Sequence, residues 1–211
     1  MHIYAFGSVC RGEVSTTSDI DLLAAISGHD PRFDAQIYSI YSYARLSEIW
    51  NEGNPFAWHL HLESKLIFSS DGSDFLRELG PPSQYTRCRQ DCKRFADIFR
   101  TSRASLEKGF QTSVFDLSTA FLGIRNFASC FSLGVLKRPN FSRHSALKIE
   151  EYSIKISPDV YSILERSRLL STRAIGKAIT PSEVRVAAEE FSTIELWLMD
   201  LTSVVESNER L

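Results

Sequence analysis

Gly7 and Ser8, followed after ten intervening residues by Asp19 and Asp21, are residue types at a spacing that fits phosphate and metal chemistry. Ile3 and Ala5, or Tyr4 and Phe6, make a short buried strand. The Gly-Ser pair directly after it lets the backbone turn sharply and bring its N–H groups and a hydroxyl close to an anion. In "SDIDLL" a strand's period of two sends the carboxylates of Asp19 and Asp21 to one face and Ile20 and Leu22 into the core. Two neighbouring carboxylates repel unless a cation lies between them, and hard oxygen donors suit Mg²⁺ bridging to phosphates. Arg11, in the loop between, adds a donor for a phosphate.

A second candidate is "FAWHLHLESKL", read as a strand with Trp58, Leu60 and Leu62 on one face and His59, His61 and Glu63 on the other. Glu63 offers a further carboxylate, and His61 an imidazole able to act as a general base. A solvated strand face is the alternative. In the apolar helix around Arg125 and Asn126, the pair is expected to bond to helix ends or to a carboxylate such as Asp116. The basic, aromatic-containing "LGVLKRPNFSRHSALK" is either a phosphate contact or a charged interhelix loop. Cys10, Cys88, Cys92 and Cys130 are too thinly spread for a disulfide framework. Cys88 and Cys92 stand four apart with no second pair at metal spacing, so buried thiols are expected.

These residues need elements to hold them, and the pattern changes character near Gly80-Pro81-Pro82. Before it, the runs "HIYAFG", "DIDLLAAI", "FAWHLHLE" and "KLIFS" read as strands around one long helix. That helix is expected to start at Asp30-Pro31, to run through Phe33, Ile37, Ile40 and Tyr41, and to end at Gly53. After the boundary the spacing is helical: about 86–108 stopped by Gly109, about 114–133, and two helices opened by Ser157-Pro158 and Thr180-Pro181, the latter with Glu183 in capping-box position. The expectation is an α/β domain with a small mixed sheet at 1–82, followed by an all-α bundle at 83–211. With 43% hydrophobic residues in a chain of 211, a sizeable core is available, and a net charge of −2 gives no whole-chain attraction to nucleic acid or anionic lipid. No apolar run reaches the length of a membrane span and the start lacks a signal-peptide pattern, so a cytoplasmic location is expected.

A strand ending in Gly-Ser, then ten residues, then Asp-Ile-Asp-Leu opening a second strand resembles the hallmark of the DNA polymerase beta-like nucleotidyltransferase superfamily. With its helical second half, the chain is similar to small prokaryotic members such as kanamycin nucleotidyltransferase-like and HEPN-linked proteins. The resemblance implies transfer of a nucleoside monophosphate from an NTP, ATP most simply, to a hydroxyl of a small molecule, a protein or an RNA end, with two Mg²⁺ ions and release of pyrophosphate. It implies that Gly7, Ser8, Arg11 and Ser18 hold the nucleotide and that Asp19 and Asp21 hold the metals. It also implies a third acid on a later strand, for which Glu63 is the candidate, or His61 in its place as base. Related small proteins often dimerise, and the long apolar helices after Thr86 would supply a homodimer interface or be buried within one bundle; the likeness to kanamycin nucleotidyltransferase-like proteins, whose helical domain closes over the substrate, implies that Arg125 lines the nucleotide cleft. The Arg-x(4–6)-His ribonuclease motif of HEPN domains lacks its histidine here, Cys130 or Phe131 standing in that place, so no ribonuclease activity is expected. An alternative is a nucleotide-binding regulatory, antitoxin or defence-type module that has lost turnover.

Overall fold

The computed structural model describes residues 1–13, 20–109 and 111–208. The chain divides into two compact units, Met1–Thr86 and Arg87–Leu211. In the first, β1 (His2–Phe6), β2 (Asp21–Ile26), β3 (Tyr38–Ser42) and β4 (Ser64–Ser69) form one mixed sheet in the order β3-β2-β1-β4. β1 runs antiparallel to both β2 and β4, and β2 parallel to β3. Helices α1 (Tyr43–Asn51), α2 (Pro55–Glu63) and the short α3 (Phe75–Glu78) supply the other side of the core. Tyr4, Phe6, Leu23 and Ala25 of the sheet pack on Leu46, Ile49 and Trp50 of α1 and on Ala57 and Leu60 of α2. The buried Tyr4 hydroxyl donates to Asp74 at 3.0 Å and accepts from the Leu76 N–H at 3.0 Å, so the polar end of a core side chain is satisfied and α3 is tied down.

Three local expectations are corrected. "FAWHLHLE" is a helix, because Asn54 caps it, its Oδ1 accepting from Phe56 N at 2.9 Å, and Pro55 fills the first position. The stretch holds no β-branched residue, and its apparent alternation was carried by Leu and His, which accept helical geometry readily. No helix starts at Asp30: its carboxylate accepts from the backbone N–H and the side chain of Arg32, closing a turn instead. The aromatic-rich YSIYS that follows pairs with β2 as β3, and the helix begins only at Tyr43, where the Ser42 hydroxyl accepts from Arg45 N at 3.1 Å. Gly53 follows that helix with φ +61°, as expected. Finally, β2 faces the other way: Leu23 and Ala25 enter the core, Leu22 is half-buried, and Ile20 is 59% exposed. Asp21 therefore shares the face of the core residues, just beyond the core's edge.

The second unit is helical: α4 (Cys88–Lys108), α5 (Ser113–Gly134), α6 (Pro158–Arg173), α7 (Pro181–Glu189) and α8 (Phe191–Asn208). Gly109, Ser157 and Thr180 stand at the helix ends read from the sequence, and Thr180 and Glu183 form a complete capping box. α5 runs through the middle, with Leu117, Ile124, Phe127 and Phe131 fully buried. Cys88 and Cys92 are buried thiols, not joined in a disulfide, with sulfurs 3.9 Å apart. Arg125 donates to the Phe141 carbonyl at 2.7 Å, and its own carbonyl accepts from Ser145 at 2.9 Å, so it fastens the following loop to α5. In that basic loop Arg143 and His144 both contact Glu165, and Arg138 pairs with Glu150, so these three side chains are engaged by carboxylates. Among the described residues no helix is long and apolar enough to cross a membrane.

Candidate active site

The sheet register places the site. Phe6, the last residue of β1, stands opposite Asp21 on one side and Ser64 on the other, so the Gly7 turn, the start of β2 and the C-terminal end of α2 meet at one end of the sheet. Gly7 has φ +75°, and a Cβ built on it would lie 2.6 Å from Asp21 Oδ2. Only glycine admits both that backbone and the carboxylate resting on it. Gly7–Val9 form a single 3-10 turn, and its carbonyls are taken up by Cys10, Arg11, Gly12 and Glu13 N–H groups. The N–H groups of Ser8 and Val9 have no acceptor among the described residues. A half-exposed carboxylate thus sits beside two uncommitted donors and the Ser8 side chain.

Arg11 leaves the same turn and enters an ion-pair cluster. Its Nε donates to Glu13 at 2.9 Å and its Nη1 to Glu63. Burial works against the guanidinium charge, but the hydrogen bond to Glu13 and the Glu63 carboxylate more than offset it and raise its pKa. Glu63 also lies 3.0 Å from His59 Nε2, one helical turn back on α2. The His59 ring packs edge-on against Phe6, at 5.6 Å between centroids, which fixes it at the core's edge. Cys10 is held by burial in its thiol form, with its Sγ directed to the Ala5 carbonyl.

The expected residues therefore separate. Gly7, Ser8, Arg11, Asp21 and Glu63 gather at one sheet end; Asp19 and Ser18 lie outside the described residues. His61 does not share the face of Glu63, because two residues on a helix point about 200° apart. It is exposed, with its ring edge-on to Trp50 and Trp58. Of the expected group His59, His61 and Glu63, only His59, four residues from Glu63, stays beside it, as a period near 3.6 requires. Neither β3 (YSIYS) nor β4 (SKLIFS) carries an acid. Among the described residues no three His, Cys, Asp or Glu side chains converge as a metal centre. The Asp21 carboxylate, which rests where a Gly7 side chain would stand, is a hard oxygen donor that fits a divalent cation beside a phosphate cradle.

Residues 2–79 match the family model of the nucleotidyltransferase domain. That stretch lies within the first unit, is consistent with the polymerase beta-like superfamily, and supports nucleotidyl transfer in general terms. A comparison with curated proteins finds no match.

Proposed function

We propose that the protein is a Mg²⁺-dependent nucleotidyltransferase that moves a nucleoside monophosphate, most simply AMP, from an NTP to a hydroxyl of an acceptor. The observation that carries the proposal is the Asp21 carboxylate lying against Gly7 next to the free Ser8 and Val9 N–H groups. In this reading the turn, with Ser8, Arg11 and Ser18, grips the triphosphate tail, and Asp19 and Asp21 hold the metal. Bound Mg²⁺ supplies charge neutralisation and alignment of the phosphates. The cradle fixes the tail so that the acceptor oxygen approaches the α-phosphorus in line; the new O–P bond forms as the bond to the pyrophosphate oxygen breaks, and the hydroxyl proton goes to solvent. The NTP requirement fits the cytoplasm.

The test is label transfer from α-labelled ATP, GTP, CTP and UTP into small-molecule, protein and RNA acceptor pools, with pyrophosphate measured alongside. Transfer with matching pyrophosphate by the wild type, lost in Asp21→Asn, is expected. Transfer that persists undiminished in Asp21→Asn overturns the proposal.

One observation favours a second reading, a nucleotide-binding module without turnover: Glu63 is engaged by Arg11 and His59, and β3 and β4 bring no other acid. Mg²⁺-dependent nucleotide binding with no pyrophosphate release from any pool would select it.

A further inference from the structure

The Arg11–Glu63–His59 cluster has a design that a metal ligand would not need. Arg11 is only 19% exposed and Glu63 14%. The guanidinium is held on two sides, by Glu13 at Nε and Glu63 at Nη1, while its Nη2 edge has no acceptor among the described residues. Its backbone N–H is part of the Gly7 turn, bonding to Gly7 and Ser8 carbonyls at 3.3 and 3.2 Å. A planar fork clamped at two donors and open at the third is pre-organised for a phosphate oxygen.

Glu63 itself occupies an unfavourable place, since a carboxylate at the last residue of α2 meets the negative end of the helix dipole. The Arg11 guanidinium offsets that cost, and His59, its Nε2 3.0 Å from the same carboxylate, is held in place by Phe6 and Phe56. A carboxylate already paired with a guanidinium is a weaker ligand for a hard cation than one facing solvent.

We infer that Glu63, steadied by His59, is a positioning residue that aims the Arg11 guanidinium at the polyphosphate of a nucleoside triphosphate, and is not a metal ligand. This rests on the nucleotidyltransferase reading of the same site.

The inference separates from that reading in a double-mutant cycle on the full chain. The probe is a non-hydrolysable ATP analogue, or whichever of the four NTP analogues the wild type binds, titrated at several Mg²⁺ concentrations. Arg11→Ala should weaken binding by about tenfold or more, as expected for loss of a charge-assisted phosphate contact. Glu63→Ala should weaken it by a similar factor, the double variant should be no weaker than Arg11→Ala alone, and the Mg²⁺ concentration for half-maximal binding should stay within about twofold of wild type. Glu63→Gln, close in shape and still an acceptor for Nη1, should recover most of the loss and serves if the alanine variant folds poorly. Losses that multiply in the double variant, or a rise of about tenfold or more in the Mg²⁺ requirement of Glu63→Gln, would overturn the inference while leaving the nucleotide site intact. A wild type that binds none of the four analogues removes both.

Discussion

Replacing Gly7 by alanine would set a Cβ within 2.6 Å of Asp21 Oδ2 at a backbone angle of +75°, so the carboxylate or the turn must move. Gly7→Ala is expected to cost about 1–2 kcal/mol in stability from the left-handed backbone alone, read as a lower denaturant midpoint, and to weaken nucleotide binding well beyond that. Asp21→Asn has the opposite signature: nucleotide binding that depends on Mg²⁺ is lost while stability changes by less than about 0.5 kcal/mol, because the half-exposed side chain contributes little packing. At this scale the chemistry was legible in part. Gly7, Ser8 and Asp21 announce themselves by type and spacing, but the face of Asp21 did not. Leu22 and Leu23 are equally apolar, and only the register against Tyr4 and Phe6 decides which of them enters the core. His61 was grouped with His59 and Glu63 because alternating Leu and His in a short run satisfies a strand pattern as readily as a helical one.

Among the elements, α7 carries the clearest sequence signature and a testable pH dependence. Its capping box has Glu183 N donating to the Thr180 hydroxyl at 3.3 Å and Thr180 N donating to the Glu183 carboxylate at 2.8 Å. Thr180→Ala is expected to cost about 1 kcal/mol in chemical denaturation. The backbone N–H of Thr180 and the Arg166 guanidinium pull the Glu183 pKa down to about 2. A depressed carboxylate contributes stability that is present above its unfolded value and lost as pH falls through the folded one. Glu183→Gln should therefore flatten the stability curve between about pH 5 and pH 2 relative to wild type, and an unchanged slope would show that the box is not formed. Such caps are readable because one or two residue types dictate them locally. The start of α1 was not, because Asp30-Pro31 is equally good turn chemistry, and the choice fell to the parallel pairing of β3 with β2, which lies many residues away.

Across the whole molecule, the division into an α/β part and a helical part follows from the change in hydrophobic period, whereas the arrangement that brings α2 to the Gly7 turn depends on sheet order, which no local pattern encodes. All residues proposed to grip the triphosphate belong to the first unit. Phe127→Ala, at a fully buried position of α5, should cost about 3–5 kcal/mol, and at temperatures where the variant is folded its nucleotide affinity should match wild type. Nucleotide with Mg²⁺ at a hundredfold excess over Kd should stabilise the wild type by about 2.7 kcal/mol. The decisive measurement is isothermal titration of the wild type and the Asp19→Asn/Asp21→Asn variant with non-hydrolysable ATP, GTP, CTP and UTP analogues, with and without Mg²⁺. Saturable binding that requires Mg²⁺ and vanishes in the folded double variant is the predicted result. Binding of equal strength in the double variant, or no binding to any of the four by the wild type, would contradict it.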